Sequence, residues 1–185
     1  LFSATCIDYG YADWRSRHTL HYLPDEYDPR TNYHLKTVPD GELASVRLGN
    51  WDVNAEAEQI EYQLHVEEGT SDILKIKYAI VMNTPEKYHE EAVQAHFTLE
   101  ILAGNEPIDK DCSSADFSAG YGDMTGWTEE KATDGSGIVV LWKDWTEIAV
   151  SLRNYIGKTI KIRLTTMDCA AGGHYGYVYF TLGCE

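Results

Sequence analysis

Apolar and polar side chains alternate with a period of two along several stretches of this chain. In residues 60–66 and 97–101, every second side chain is apolar and the others are polar or charged. This alternation is typical of a β-strand with one face in the core and the other in water. Residues 73–82 are rich in β-branched and aromatic side chains and end in an unbroken apolar run, as expected of a central strand.

Turn-forming residues separate these stretches from further strand candidates. Small polar residues, glycine and proline cluster at 69–72 and 104–107, a composition that favours turns. More strands are predicted at 43–48, 138–142, 145–152, 159–166 and 176–182, whereas 86–95 is expected to form one helical turn or a loop. Strands that recur roughly every eight to fifteen residues, with no long amphipathic helix, predict an all-β sandwich rather than βαβ units.

The chain is predicted to be one binding domain over residues 1–185. Its length suits a single hydrophobic core, and the sequence contains no internal repeat, low-complexity segment or linker. The first forty residues are irregular and contain three prolines and many Tyr and Asp side chains. We therefore expect long loops there, with one or two short strands.

Charge narrows the classes of partner. The chain has 15 Lys and Arg residues against 30 Asp and Glu residues, a formal net charge of −15. Because binding to nucleic acid needs a basic face, DNA and RNA are not expected as partners. The longest apolar runs, 78–82 and 138–142, are far shorter than the ~20 residues of a membrane helix, so no membrane insertion is expected. The classes of partner that remain are a glycan and another protein.

Two motif-bearing regions carry a resemblance to known domains. Residues 145–166 form a strand–loop–strand unit that resembles the back half of MAM-like and carbohydrate-binding jelly rolls. More narrowly, RLGNW at 47–51 and GGHYGY at 172–177 resemble a domain of secreted or surface proteins of Bacteroidetes-type bacteria. The resemblance implies a jelly-roll β-sandwich of two antiparallel sheets, secreted or on the bacterial cell surface, within a larger multidomain chain.

The resemblance also bears on metal binding. Many related jelly rolls hold a structural Ca²⁺ ion between the first and the last strand, and their last strand often ends in an Asp pair. Here residues 179–182 contain no Asp, which departs from that pattern. Oxygen ligands for Ca²⁺ can still come from aspartates in loops, and Asp8 and Asp168 are the predicted metal ligands. With so many acidic residues in the chain, several aspartates in loops are also expected by chance. The other loop aspartates are Asp25, Asp28, Asp109 and Asp111.

The four cysteines are Cys6, Cys112, Cys169 and Cys184. An even number suits an oxidising compartment, and four thiols allow three pairings. We expect Cys6 to pair with Cys184, which would join the two ends of a sandwich whose terminal strands are neighbours, and Cys112 to pair with Cys169. The alternative is four free thiols.

The histidines give weaker signals. His18 with His21 and His89 with His96 are the closest pairs, but no HExxH motif is present. We interpret these four side chains as exposed or hydrogen-bonded. His174 lies in a glycine-flanked turn near Asp168 and is expected either to orient that turn or to contact a ligand.

Aromatic residues are the best indication of a ligand. The chain has 13 Tyr and 5 Trp residues, whose rings can stack on sugars while their polar tips hydrogen-bond to hydroxyl groups. The predicted ligand-binding residues are Trp127 and Tyr121 in the central loop, with Asp168, His174 and Arg47 as polar partners. Trp51, Trp142 and Trp145 are expected in the core, and further aromatic residues crowd the irregular start: Tyr9, Tyr11, Trp14, Tyr22, Tyr27 and Tyr33.

No motif indicates an enzyme. A GxSxG elbow, a Walker loop and a GxGxxG fingerprint are all missing from the sequence. We therefore predict a non-catalytic extracellular binding module, a carbohydrate-binding or adhesion domain of a larger surface protein. The alternatives are a structural or protein–protein interaction module of a surface fibre and, after it, a glycoside hydrolase or lyase.

Overall fold

A computed structural model describes residues 7–9, 16–69, 72–84, 89–133 and 135–184. In these ranges the chain forms β-strands and three short 3₁₀ turns, Pro29–Thr31, Glu91–Val93 and Arg153–Tyr155. None of the helical segments described there is long and apolar enough to cross a lipid bilayer. The strands are β1 Ile7–Tyr9, β2 His18–His21, β3 Ser45–Leu48, β4 Ala57–His65, β5 Ile73–Thr84, β6 His96–Ala103, β7 Glu106–Pro107, β8 Ser114–Ser118, β9 Trp127–Lys131, β10 Val139–Ser151, β11 Thr159–Met167 and β12 Gly176–Cys184.

The strands form two sheets that confirm the predicted jelly-roll β-sandwich. One sheet has the order β1-β2-β3-β12-β5-β10-β9, and the other has the order β4-β11-β6-β7, with β8 also paired to β6. Within this arrangement β3-β12-β5-β10 and β4-β11-β6-β8 are the two four-stranded layers of a jelly roll. The strand pairs are antiparallel as predicted, except that β1 runs parallel to β2 at the edge of the larger sheet.

Two predicted strands prove to be one. Residues 138–142 and 145–152 form the single strand β10, whose pairing with β5 shifts register between Lys143 and Thr146. A β-bulge of this kind keeps the strand continuous while it changes the direction of the side chains beside it. The indole of Trp145, at the bulge, donates a hydrogen bond to the carbonyl of Lys36 (2.9 Å).

Residues 109–134, which include the central loop predicted around Tyr121 and Trp127, contain β8 and β9. β8 pairs with β6 and β9 pairs with β10. Their sequences, SADFS and WTEEK, are mostly polar because both strands expose much of their surface. They therefore lack the apolar alternation by which strands were recognised.

The main core lies between the two sheets. Alternate residues of β5 point into it, and they meet the inward-facing residues of β6 and β11 on the opposite sheet, all of which are buried. Burial of these side chains supplies the main favourable free energy of folding. The residues concerned are Leu74, Ile76, Tyr78, Ile80 and Met82 on β5, Phe97, Leu99 and Ile101 on β6, and Ile160, Ile162 and Leu164 on β11.

A second apolar cluster lies on the outer face of the larger sheet. It is covered by residues 22–44, which we call the covering segment. Leu35 of this segment packs with Ala79 and Val81 of β5 and with Tyr177 and Tyr179 of β12. Because both faces are covered, the second half of β5 is buried on both sides, which explains its unbroken apolar run.

The buried carboxylate of Asp28 ties the covering segment to the sheet. Its Oδ2 accepts hydrogen bonds from the hydroxyl groups of Tyr177 and Tyr179, both at 2.8 Å. Its Oδ1 accepts from the backbone N–H groups of Arg30 (2.6 Å) and Thr31 (3.2 Å). Burial raises the pKa of Asp28 to about 6, although the hydrogen bond from Tyr177 opposes this shift.

Gly49 is predicted to be far less replaceable than an exposed glycine of similar backbone conformation. A Cβ atom at Gly49 (φ +88°) would lie 2.9 Å from the carbonyl oxygen of Gly176 and 3.0 Å from Cβ of Tyr177, whereas one at Gly157 (φ +78°) would meet nothing within 4 Å. We expect Gly157→Ala to lower the free energy of unfolding by about 1–2 kcal/mol through backbone strain alone. Gly49→Ala should cost about 2–5 kcal/mol, because overpacking adds to the strain. Urea unfolding measures both, and equal losses would contradict the close approach at Gly49.

Asp28 should make stability fall as pH rises. Because the folded-state pKa of about 6 exceeds the unfolded value, folding favours the protonated carboxyl. Its contribution is therefore fully present below about pH 4 and is lost as the pH rises through 6, a change of about 3 kcal/mol. Asp28→Asn keeps an acceptor but cannot ionise, so its free energy of unfolding should fall less over this range.

The test measures the free energies of unfolding of the wild type and of Asp28→Asn in urea at pH 4, 5, 6 and 7, and follows the difference between them. Burial also raises the pKa of Glu58 to about 7 and that of Asp168 to about 6, but these groups are present in both proteins and cancel. Asp28→Ala, which leaves two buried tyrosine hydroxyls without their acceptor, should be less stable than Asp28→Asn at every pH. A difference that does not vary with pH would show that Asp28 does not titrate in this way.

Candidate functional site

Two of the shallow clefts at the margins of the covering segment combine aromatic and polar side chains. The first, which we call the Tyr33 cleft, has a volume of about 440 Å³ and is lined by Pro29, Arg30, Tyr33, Trp51, Ala132 and Thr133. The second, the Trp145 cleft, has a volume of about 550 Å³ and is lined by Tyr27, His34, Lys36, Pro39, Asp40, Lys77, Asp144, Trp145, Thr146 and Glu147. Each cleft combines aromatic rings with polar side chains, which is typical of ligand sites.

Tyr33 presents its ring to solvent from an unusual backbone. Its side chain is 65% exposed, and both Asn32 (φ 50°) and Tyr33 (φ 62°) adopt the left-handed conformation. Non-glycine residues adopt this conformation infrequently, and such strain is often found at binding sites. The left-handed pair turns the chain outward directly after the 3₁₀ turn Pro29–Thr31.

Asn32 fixes the backbone beneath this ring. Its Nδ2 donates to Oε2 of Glu130 (3.0 Å) and to the carbonyl of Lys131 (3.0 Å). Its Oδ1 accepts hydrogen bonds from both the backbone N–H and the hydroxyl of Thr133, each at 3.0 Å. These four bonds join the turn to the end of β9, so that Tyr33 is held in place before any ligand binds.

The floor of the Tyr33 cleft is a stack of aromatic and cationic groups. The guanidinium carbon of Arg30 lies 5.4 Å from the ring centroid of Trp51 and 5.9 Å from that of Tyr175, within range for cation–π attraction. Trp51 was predicted to be core, but only part of its ring is buried. The cleft therefore offers two aromatic rings, a guanidinium and the hydroxyl of Thr133.

The Trp145 cleft is more highly charged. Lys36 Nζ lies 2.6 Å from Asp40 Oδ1, and Lys77 Nζ lies 2.6 Å from Glu42 Oε1. The hydrogen bond from Lys36 lowers the pKa of Asp40, whereas a general acid for glycoside cleavage needs a raised pKa. Across the described residues, the carboxyl groups with a raised pKa are Asp28, Glu58 and Asp168, and none of them lines this cleft.

Trp127 and Tyr121, predicted to bind a ligand, contact other parts of the fold. The Trp127 ring lies 5.6 Å from that of Phe117 in an edge-to-face arrangement, and the ring is half-buried. The hydroxyl of Tyr121 donates a hydrogen bond to the carbonyl of His89. Neither residue lines the Tyr33 cleft or the Trp145 cleft, so their predicted role remains without support from this geometry.

Arg47 requires a correction. Its side chain is 0% exposed, because β3 lies in the interior of its sheet. Its Nη2 donates to the carbonyl of Ser16 (2.9 Å) and to Oγ1 of Thr19 (3.0 Å), and its guanidinium carbon lies 5.0 Å from the Trp51 ring. Arg47 was predicted to bind a ligand. Its guanidinium is buried, so it stabilises the fold and cannot contact a ligand at the surface.

Asp168 joins two loops through backbone hydrogen bonds. Its Oδ2 accepts from the N–H of Glu56 (3.0 Å) and its Oδ1 from the N–H of Gly176 (3.2 Å). The other predicted Ca²⁺ ligand, Asp8, belongs to β1, but its side chain lies outside the described part of the structure. A Ca²⁺ ion at Asp8 and Asp168 therefore stays a prediction.

His174 does not contact either cleft. Its Nδ1 lies 3.1 Å from Sγ of Cys169, and its ring centroid is 5.1 Å from that of His89. Burial, and secondly the neighbouring His89, lower the pKa of His174, which favours the neutral imidazole. The sequence shows the short Cys169–His174 spacing, but only the fold shows that His89 joins this pair.

The predicted Cys112–Cys169 disulfide is wrong, since both thiols are free. Cys169 follows β11 and lies near the His96 end of β6. Cys112 lies five residues further along β6, because the carbonyl of the next residue, Ser113, accepts a hydrogen bond from the N–H of Ile101. Five residues of strand span about 16 Å, far more than the roughly 7 Å between Cα atoms that a disulfide allows. The predicted Cys6–Cys184 bridge lies outside the described residues at Cys6 and outside the described side chains at Cys184.

Comparison with known proteins finds remote structural similarity. No protein-family model matches the chain, and no curated protein sequence matches it significantly. TmCBM61, solved with β-1,4-galactotriose, aligns with a TM-score of 0.42 and 12% identity over 91% of this chain and 83% of its own. CBM27-1 of Caldicellulosiruptor saccharolyticus, solved with mannohexaose, aligns with a TM-score of 0.37 and 12% identity over 88% of this chain and 79% of its own. At such low TM-scores we take neither protein's ligand as information about this chain.

The two free thiols should differ in reactivity. The exposed Cys112 should be alkylated by iodoacetamide in the native protein without a reductant, whereas the buried Cys169 should react only after unfolding. Peptide mass spectrometry before and after unfolding in urea measures both sites. Recovery of a peptide in which Cys112 is disulfide-bonded to Cys169 would contradict the structure.

Proposed function

We propose that this domain is a non-catalytic carbohydrate-binding module that uses the Tyr33 cleft. The observation that carries the proposal is the Tyr33 ring, which is 65% exposed and displayed from a left-handed backbone. The hydrogen bonds of Asn32 explain the backbone of this turn, but they give no reason to place a large aromatic ring in water there. A ligand that covers the ring on binding supplies that reason.

The chemistry of the cleft suits a neutral sugar. The rings of Tyr33 and Trp51 can contact the C–H faces of a pyranose, as aromatic side chains do in recognising amphipathic ligands. Arg30 and Thr133 lie beside them and can hydrogen-bond to hydroxyl groups. The net charge of −15 disfavours anionic glycans.

The composition of the cleft favours binding over catalysis. Glycoside hydrolysis needs two carboxyl groups on either side of the scissile bond. The described residues that line the Tyr33 cleft include no Asp or Glu. Binding without cleavage also fits the proposed setting, in which the domain anchors a larger secreted or cell-surface protein to a glycan in adhesion or substrate targeting.

Replacing Tyr33 should remove binding without unfolding the domain. We expect the wild-type protein to bind at least one neutral polysaccharide on a glycan microarray. Tyr33→Ala should weaken binding to the tightest neutral oligosaccharide about fivefold or more, because a stacked ring contributes on the order of 1 kcal/mol or more. Isothermal titration calorimetry measures this loss. Thermal unfolding should change little, since the Tyr33 side chain is mostly exposed.

Tyr62→Ala is the matched control, because Tyr62 is similarly exposed (53%) but lies on β4 of the smaller sheet. It should retain wild-type affinity. An equal loss in Tyr62→Ala would place the site elsewhere, and a microarray without any bound glycan would reject carbohydrate binding. Release of shortened sugars from the bound oligosaccharide would reject the non-catalytic role.

A further inference from the structure

Three side chains with soft or borderline donor atoms converge at one end of the sandwich. Cys169, His174 and His89 each offer one such atom, and these atoms all lie within 4.8 Å of one another. Within the ranges that the structure describes, this is the one group of three or more His, Cys, Asp or Glu residues that meets this distance. The group is separate from both clefts and takes no part in the proposed function.

A tight turn brings two of the three residues together. The N–H of Cys169 donates to the carbonyl of His174 (2.9 Å), and the N–H of Gly172 donates to the carbonyl of Cys169 (2.9 Å). These bonds close the loop between β11 and β12 so that both side chains point to the same place. Sγ of Cys169 and Nδ1 of His174 are thereby 3.1 Å apart.

The third residue, His89, is held by contacts to its backbone. Its carbonyl accepts hydrogen bonds from the hydroxyl of Tyr121 and from Nε2 of Gln94 (3.3 Å). The segment that follows it is joined to the turn, because the N–H of Ala170 donates to the carbonyl of Val93 (3.0 Å). Supporting contacts of this kind fix the positions of ligands in metal sites.

One polar feature of the group is unexplained by the protein alone. Nε2 of His89 is buried and makes no hydrogen bond, an arrangement that destabilises the fold unless a ligand occupies that nitrogen. The thiol of Cys169 is 0% exposed, and its Sγ accepts a backbone hydrogen bond from Gly173 (3.4 Å).

We propose that Cys169, His89 and His174 bind a Zn²⁺-class metal ion. The sulfur and nitrogen donors suit Zn²⁺ and neighbouring first-row ions, whereas Ca²⁺ requires oxygen ligands. Zn–S and Zn–N bonds of about 2.3 and 2.0–2.1 Å in a tetrahedron place donors about 3.5 Å apart. The present separations, 3.1 Å for one pair and at most 4.8 Å for all, need only small side-chain rotations to reach that geometry.

The proposed site has three protein ligands and one open coordination position. Such a set leaves a place for water or for an external donor. Because His89 precedes β6 while Cys169 and His174 lie between β11 and β12, the ion would also join two separate parts of the chain. Metal binding to the native state should therefore raise the melting temperature.

Cobalt spectroscopy tests the proposal directly. The purified protein is treated with a chelator, kept reduced with a phosphine, and titrated with Co²⁺ as a spectroscopic probe for Zn²⁺. We expect one equivalent of Co²⁺ to give a thiolate-to-metal charge-transfer band and intense visible bands of tetrahedral coordination. Zn²⁺ should abolish both sets of bands and raise the melting temperature.

Variants identify the ligands. Cys169→Ser should lose the charge-transfer band, and His89→Gln and His174→Gln should each weaken Co²⁺ binding at least tenfold. Cys112→Ser is the matched thiol control, and His96→Gln is the matched histidine control because His96 binds Asp116 and Ser118 instead. Both controls should titrate like the wild type.

Several results would overturn the site. These are a wild-type protein without a charge-transfer band, a band that survives in Cys169→Ser, and a band that is lost in Cys112→Ser. If Cys169→Ser does not fold, the two histidine variants and the wild-type titration still decide the question. The glycan affinity of the Tyr33 cleft should be the same with and without Zn²⁺, so the two proposals fail or succeed independently.

Discussion

One buried carboxylate organises the outer face of this sandwich. Asp28 receives four hydrogen bonds, two from tyrosine hydroxyls of β12 and two from the backbone of the covering segment. A carboxylate is stable at such depth only when its lone pairs are occupied. The covering segment in turn forms one wall of both clefts, so the position of Tyr33 in the cleft depends on a contact made beneath it.

The regular part of the fold could be predicted from the sequence because it follows from local alternation. β4, β6 and β11 were recognised from their apolar alternation, β5 from its β-branched and apolar composition, and β12 as the strand that follows a Gly-rich turn. β8 and β9 were not, since strands that are polar on most of their surface do not show this signal. The covering segment could not be predicted either, because its fold depends on the contact of Asp28 with tyrosines about 150 residues away.

The site was predicted less well, for a related reason. Composition drew attention to aromatic residues and to the crowded start of the chain, which includes Tyr33, the residue that we propose contacts a ligand. Sequence does not report exposure, however, and Arg47 proved to be in the interior while Trp51 proved to be partly accessible. Cys169 and His174 are close in the sequence. His89 joins them only because β6, which follows it, pairs with β11 in the same sheet.

The distance along the chain between Asp28 and its tyrosine partners also bears on how the domain is made. These hydrogen bonds span 149 and 151 residues, most of the length of this domain. During synthesis the N-terminal region leaves the ribosome long before β12 does. Since distant pairings form late and slowly, the outer aromatic layer is completed only after β12 has emerged, and until then its apolar surface stays uncovered.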